Sequence, residues 1–388
     1  MDKRSLIFPA QEFRARIAAL QAGLADQSLD ALLLTAPADI FYTTGFLTRF
    51  WESPARPWFV VVPIASDPVA VIPSIGADLM GRTWLHDIRT WDAPDPRDDG
   101  VSLLAEALAQ AVAPTGRIGL PMGLETHLRM PLADFEALRA RLAPRRFVDA
   151  TACIQRVREV KSEAEIDKIR ATCAVAARAF ARVPEFAQAG RARSDVFRDF
   201  QIALLSEGAD WVSYVAGAAG PDGYGDVISP AGPDPLQRGD VLMLDTGAVK
   251  DGYFCDFDRN FAIAPASDIA RRAHAALWHA TEDALSELRP GMLARDVHEI
   301  LSRGLQRRGM TPSGGRLGHG LGITLTEWPS FTPLDDTPLR AGMVLTLEPG
   351  CVTADGRIMV HEENIVLRDT GPELLSPRAP EELPEIGT

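Results

Sequence analysis

The chain has 388 residues, a formal net charge of −13 and 46% hydrophobic residues, too long for one ordinary core and apolar enough to build two. Its Lys and Arg residues are scattered with no basic block, which argues against a nucleic-acid or anionic-membrane surface, and no apolar run reaches the roughly 18 residues that span a bilayer. The four cysteines (Cys153, Cys173, Cys255, Cys351) show no CxxC pairing. With a start, Met1-Asp-Lys-Arg-Ser-Leu6, that leads into an amphipathic segment rather than a secretory leader, they exclude a disulfide framework or zinc ribbon and fit a reduced, cytoplasmic setting.

Residues 11–27 read as a helix with Phe13, Ile17, Leu20 and Leu24 on one face. Strands at 29–35, 58–64, 69–75 and near 118–120 and 147–148 alternate with helices at 101–113 and 131–142, which gives an α/β domain over 1–156 without a phosphate-binding glycine loop. Within it, 41–46 and 47–58 form an insert rich in aromatic and basic residues (Arg49, Trp51, Arg56, Trp58). The insert reads either as a hairpin with exposed amphipathic side chains or as a lid over a neighbouring subunit's pocket.

The second domain, 157–388, opens on a helix with Ser162 as N-cap and Glu165 three residues on, a capping box. A helix at 194–206 follows, then a Gly- and Pro-rich stretch, 209–238, that reads as a loop carrying Tyr214 and Tyr224. Residues 241–261 read as a buried hairpin with Asp245 on one strand and Asp256 on the other; alternation turns Cys255 to the opposite face, as packing. Helices at 267–288 and 293–308 lead into three more segments, 317–325, 343–350 and 357–367.

Buried carboxylates are costly unless a cation or donor compensates them, so two facing each other suggest a metal, against the plainer reading of turn-capping aspartates. Three features join the pair. His319 stands between glycines in Gly318-His-Gly-Leu-Gly, Glu348 ends an apolar run before Pro349-Gly350, and Glu362 leads another in Val360-His-Glu-Glu-Asn-Ile. Four carboxylates and one imidazole make an oxygen-rich set. It suits two hard or borderline divalent ions, for which manganese is more natural than a lone tetrahedral zinc. His274, His279 and His298 read as surface or packing residues, and His361 should turn away from the cluster.

The order Asp245, Asp256, His319, Glu348, Glu362, within Leu244-Asp-Thr-Gly-Ala, Asp256-Phe-Asp-Arg259, Gly318-His-Gly-Leu-Gly and Glu348-Pro-Gly, resembles the pita-bread metallopeptidase family of methionine aminopeptidase, prolidase, aminopeptidase P and creatinase. Phe41-Tyr-Thr-Thr-Gly-Phe resembles the creatinase/prolidase amino-terminal domain. The resemblance implies an α/β amino-terminal domain followed by an α+β pita-bread catalytic domain, and a homodimer. Asp245, Asp256, His319, Glu348 and Glu362 would hold two divalent metal ions, with zinc, cobalt or iron as alternatives to manganese; Glu363 is the other candidate for the last ligand. It further implies a hydrolase of the Xaa-Pro aminopeptidase or dipeptidase type that cleaves a peptide-like C–N bond with a metal-bridging hydroxide. Glu348 would shuttle the proton, His319 would serve the same centre, and Arg259 would fix a ligand carboxylate.

The departures fall outside the cage. Proline-cleaving members carry two further histidines, and the corresponding positions here are Ile228 and Thr326. Substrate contacts are therefore expected from Tyr214, Tyr224, Thr326 and, through a lid, Arg49 and Trp51. The substrate is a short peptide or a small metabolite. The alternatives are an enzyme like ectoine hydrolase, creatinase or dimethylsulfoniopropionate lyase, the last disfavoured by Gly247 where the lyase has an Asp, or a metal-free pita-bread binding module.

Overall fold

In a computed structural model, residues 7–53 and 56–387 are described. The first six residues and two positions of the 47–58 insert lie outside them. The chain divides into two compact units, the first ending at Arg158 and the second beginning at Glu159.

The first unit is a six-stranded mixed sheet in the order Asp87–Trp91, Val69–Pro73, Phe59–Pro63, Ala31–Leu34, Arg117–Leu120, Arg146–Asp149. Its central strands are buried throughout, ALLL and FVVVP among them, as continuous apolar runs demand. Helices Ala10–Asp26, Val101–Ala111 and Leu132–Leu142 accompany it, close to the expected spans. The edge strand Asp87–Trp91 carries no apolar run, being half exposed, and is unreadable from pattern alone. The aromatic insert is not a hairpin. Pro at the first helical position starts a helix, Pro37–Thr44, that Gly45 ends in the left-handed conformation (φ 79°). A short 3-10 turn, Arg49–Glu52, follows. Trp51 and Trp58 are not splayed out but pack on Phe46 and on each other, with ring centroids 5.0–5.6 Å apart.

The second unit is α+β. One sheet runs Glu385–Ile386, Phe257–Ile263, Asp240–Lys250, Trp211–Pro221, and a second runs Glu327–Ser330, His319–Gly320, Val344–Leu347, Glu363–Arg368, Gly371–Leu374. Long helices cover them. Glu163–Ala181 starts with the capping box: Ser162 Oγ accepts the Glu165 N–H at 3.3 Å, and the Glu165 carboxylate accepts the Ser162 N–H at 3.0 Å. Asp268–Glu287 lays Ala270, Ala273, Leu277 and Ala280 against Val241, Met243 and Ala262, small residues that let helix and sheet approach closely.

The Gly/Pro-rich stretch 209–238 begins as a strand, not a loop. Trp211–Pro221 pairs antiparallel with Asp240–Lys250, and a bulge between Val212 and Val215 interrupts the register. Its glycines serve the pairing: Gly217 holds φ 149°, and a Cβ there would lie 2.2 Å from the Met243 carbonyl oxygen. Gly217→Ala is expected to lower the unfolding free energy by about 1–3 kcal/mol in urea denaturation.

Candidate metal centre

The hairpin holds one register from end to end, with Val249 opposite Phe254 and Thr246 opposite Phe257. That register sets Gly247 beside Asp256. Gly247 has no side chain where two others converge: a Cβ there would meet Tyr214 Cε1 at 2.6 Å and Leu325 Cδ1 at 2.7 Å. The bulge in the neighbouring strand aims Tyr214 into this space, as bulges re-aim side chains elsewhere. The Tyr214 hydroxyl lies 2.9 Å from Asp245 Oδ2 and 2.7 Å from Asp256 Oδ1. One phenolic proton cannot serve both carboxylates at once.

Two groups of potential ligands form, Asp256 with His319 and Glu348, and Asp245 with Asp256 and Glu362, each with its ligand atoms within 4.8 Å of one another. Asp256 belongs to both. His319 Nε2 stands 3.0 Å from Glu348 Oε1 and 3.3 Å from Asp256 Oδ2, while its Nδ1 donates to the Gly320 carbonyl at 2.7 Å. Thr346 Oγ1 receives the His319 N–H at 2.9 Å and donates to Glu348. Asp256, His319 and Glu362 are buried, and the Glu348 side chain keeps 21% of its exposure. Two carboxylate oxygens of the cage, Asp245 Oδ1 and Glu362 Oε1, are buried with no hydrogen-bond partner. Native interiors rarely leave an ionisable oxygen so, and a cation is the compensation the donor set suits.

The electrostatics agree. Burial raises Asp245 well above the usual carboxylate range, reinforced by Asp256 and Asp258, and burial with Asp256 and Glu348 does the same to Glu362. Burial also raises Asp256, against the opposing pull of His319. Burial alone would lower His319, but Glu348 and Asp256 override it and raise it to about 10. Glu348 goes the other way: burial would raise it, but His319 brings it down to about 2.

Glu362 and Glu363 part company here. The Glu363 carboxylate is enclosed by Arg259 Nη2 at 3.0 Å, Arg378 Nη1 at 3.0 Å, the Ala379 N–H at 2.8 Å and Ser376 Oγ. It is fully satisfied, whereas Glu362 joins the cage. Arg259 thus fixes not a cage carboxylate but its neighbour, and reaches Glu362 only through the main-chain carbonyl, at 2.9 Å. His361 bonds Arg378 at 2.7 Å, outside both groups.

The expected substrate contacts divide. Tyr214 touches the cage carboxylates. Tyr224 is not available to a substrate: it is 1% exposed, and its hydroxyl is spent donating to Asn260 Oδ1 at 3.1 Å and accepting the Val360 N–H at 2.7 Å. Thr326 lies on the loop after His319. That loop folds around Glu327, which accepts the Ile323 and Thr324 N–H groups at 2.9 and 3.1 Å and pairs with buried Lys161 at 3.0 Å. Ile228 is 84% exposed. Arg49 and Trp51 lie in the first unit, Arg49 ion-paired with Glu52 and Trp51 within the aromatic cluster. Sequence reasoning missed Asn364, whose side chain bonds the main chain of Asp256, and Glu327; neither lies on a periodic pattern that would single it out.

Residues 167–369 match the model of metallopeptidase family M24, and residues 16–160 that of the creatinase/prolidase N-terminal domain. A probable dipeptidase PepE of Mycobacterium tuberculosis is 31% identical over 365 residues, 93% of each chain. An Xaa-Pro dipeptidase of Pyrococcus horikoshii is 26% identical over 66% of this chain and 72% of its own. The crystal structure of dipeptidase PepE from Mycobacterium ulcerans superposes with a TM-score of 0.84 at 26% identity, covering 98% of this chain and all (100%) of that one. The two-domain pita-bread fold is therefore shown. Among the described residues no helix is long and apolar enough to cross a membrane.

A metal ion must displace protons from this cage, because Asp245, Asp256, Glu362 and His319 all hold theirs above their ordinary values. Divalent-metal titration of the metal-free protein is thus expected to release protons, with affinity rising by at least about tenfold between pH ~6 and ~8 in calorimetry.

Proposed function

The chain belongs to metallopeptidase family M24, with a creatinase/prolidase-type amino-terminal domain, and on that premise we propose that it is a two-metal hydrolase of the Xaa-Pro peptidase type, cleaving the C–N bond of a short peptide. The observation that carries the reading is the pair of ligand groups sharing Asp256, with buried, unpartnered oxygens on Asp245 and Glu362. Asp245, Asp256 and Glu362 would hold one divalent ion and Asp256, His319 and Glu348 the other, manganese suiting the carboxylate-rich set best. Such ions supply Lewis-acid polarisation of a scissile carbonyl and a lowered pKa for water.

The chain's own groups do the rest. Glu348 is the proton carrier: its side chain retains 21% exposure at the edge of the cage, so it can take up a proton and pass it to the leaving nitrogen. His319 is held in one tautomer by the Gly320 carbonyl, which fixes its ring against Glu348. The Tyr214 phenol stays protonated, since burial and the charges of Asp256 and Asp245 raise its pKa, and its one proton is donated to one of those two carboxylates at a time. A cytoplasmic setting is supported by four buried, unpaired cysteines. The family's usual homodimer is adopted here for this chain, with Arg49 and Trp51 closing the partner's pocket.

A second reading, a small-metabolite hydrolase on the same scaffold, is favoured by Ile228 and Thr326 at the two positions where proline-cleaving members carry histidine. The manganese-loaded enzyme should be assayed on dipeptides with and without a carboxyl-terminal proline, beside creatine and ectoine. The peptide reading requires the dipeptides to be turned over faster, and turnover confined to creatine or ectoine would reject it. Asp256→Ala is expected to abolish both metal uptake, read by emission spectrometry, and activity. Glu348→Gln should lower kcat by about 10²–10⁴-fold. Arg49→Ala should raise KM in a dimer confirmed by light scattering; an active monomer with unchanged KM contradicts the lid.

A further inference from the structure

A second set of contacts, between side chains and main chain, surrounds the cage. The hairpin bonds the Cys255 N–H to the Ala248 carbonyl at 3.1 Å, so antiparallel alternation points the N–H and C=O of Asp256 the other way, to the outer edge of the sheet. Along that edge the register of Glu385–Ile386 covers Ala262 and Ile263, away from Asp256. Beside Asp256 the side-chain amide of Asn364 takes the place of a strand. Its Oδ1 accepts the Asp256 N–H at 3.0 Å and its Nδ2 donates to the Asp256 carbonyl. The favour is returned two residues along: Asp258 Oδ1 accepts the Glu362 N–H at 3.1 Å. Asn364 follows Glu362 by two positions, as Asp258 follows Asp256.

The clasp is therefore reciprocal, and it spans a gap. Phe257–Ile263 and Glu363–Arg368 belong to different sheets and share no ladder among the described residues. Two cage carboxylates carried by separate sheets need something other than strand pairing to fix their separation. Both clasp residues are buried, Asn364 at 0% and Asp258 at 1% exposure, so their bonds compete with no solvent.

We propose that Asn364 and Asp258 are positioning residues of the metal centre, setting the separation of Asp256 and Glu362 and through it the affinities of the two ions. The inference rests on the reading of the cage as a metal centre. It predicts an asymmetry. Glu362 belongs to one ligand group only, whereas Asp256 belongs to both. Loss of the Asp258 contact should weaken one ion; loss of the Asn364 contacts should weaken both.

The test is calorimetric titration of the metal-free full chain with manganese, with thermal unfolding measured alongside. The parent chain should show two binding steps. Asp258→Ala should weaken one of them by roughly tenfold or more and leave the other within about twofold. Asp258→Asn, which keeps an oxygen for the Glu362 N–H, should keep both near parental values. Asn364→Ala should weaken both by roughly tenfold or more; if it fails to fold, the Asp258 pair decides alone. The proposal is overturned if Asp258→Ala leaves both affinities unmoved, if it weakens both equally along with the melting temperature, or if Asp258→Asn falls as far as the alanine variant. A parent chain that binds no manganese removes the metal reading itself, and is thereby distinguished from two intact steps that the variants do not disturb, which remove only the clasp.

Discussion

Mutual repulsion among buried carboxylates is the constraint on which the second unit is built. Asp245, Asp256 and Glu362 bring ligand atoms within 4.8 Å of one another, with Asp256 and Glu362 buried and Asp245 half-buried. Like charges so placed disfavour ionisation strongly, and in a protein without a counter-ion the groups would hold protons or the strands would part. Each neighbouring element can be understood as resisting that separation. The Tyr214 hydroxyl stands within hydrogen-bond reach of Asp245 and Asp256, His319 stands between Asp256 and Glu348, and the main chains on either side are bonded across the gap between sheets. A scaffold that keeps mutually repelling groups together is stabilised by the ligand that neutralises them, so folding and metal loading are linked.

The stability of the metal-free protein should be read in the same light. His319, raised to about 10 by its carboxylate partners, contributes stability that is complete below the ordinary histidine range and is lost as pH rises through that value. Glu348, brought down to about 2, contributes stability present above the ordinary carboxylate range and lost as pH falls through that value. Asp245 and Glu362 have raised values and act in the opposite sense to Glu348: their burial is least costly in acid and opposes folding increasingly as pH rises. A bound cation reverses the sign of their contribution.

Much of this was legible in the chain because it lies in residue type and order. Asp245, Asp256, His319, Glu348 and Glu362 are the kinds of side chain that hold oxygen-preferring ions, and each sits at or next to a readable strand. Strands such as Ala31–Leu34 and Phe59–Pro63 announce themselves as apolar runs, and Ser162 and Glu165 announce a helix start. What could not be read depends on tertiary pairing. Trp211–Pro221 has the composition of a loop and becomes a strand only because Asp240–Lys250 is there to pair with it. The last four residues of the helix Pro37–Thr44 read as the start of an aromatic insert because Phe41 and Tyr42 suit a strand as well as a helix. Whether Glu362 or its neighbour enters the cage is decided by Arg259, Arg378 and Ser376, which enclose Glu363 from distant points of the sequence. Tyr224, which resembles a loop aromatic in sequence, is taken out of play by hydrogen bonds to Asn260 and Val360.

The turn between Leu321 and Thr326 is folded around one carboxylate, Glu327, whose charge is met by Lys161 beneath it. None of these contacts passes through a cage residue. The segment is also tied to the cage hairpin, where the Phe254 N–H donates to the Gly322 carbonyl at 2.9 Å and Leu325 converges with Tyr214 over Gly247. Leu325 thus links the turn to the tyrosine that contacts the cage, and a change of its shape would be felt at Asp245 and Asp256 through Tyr214.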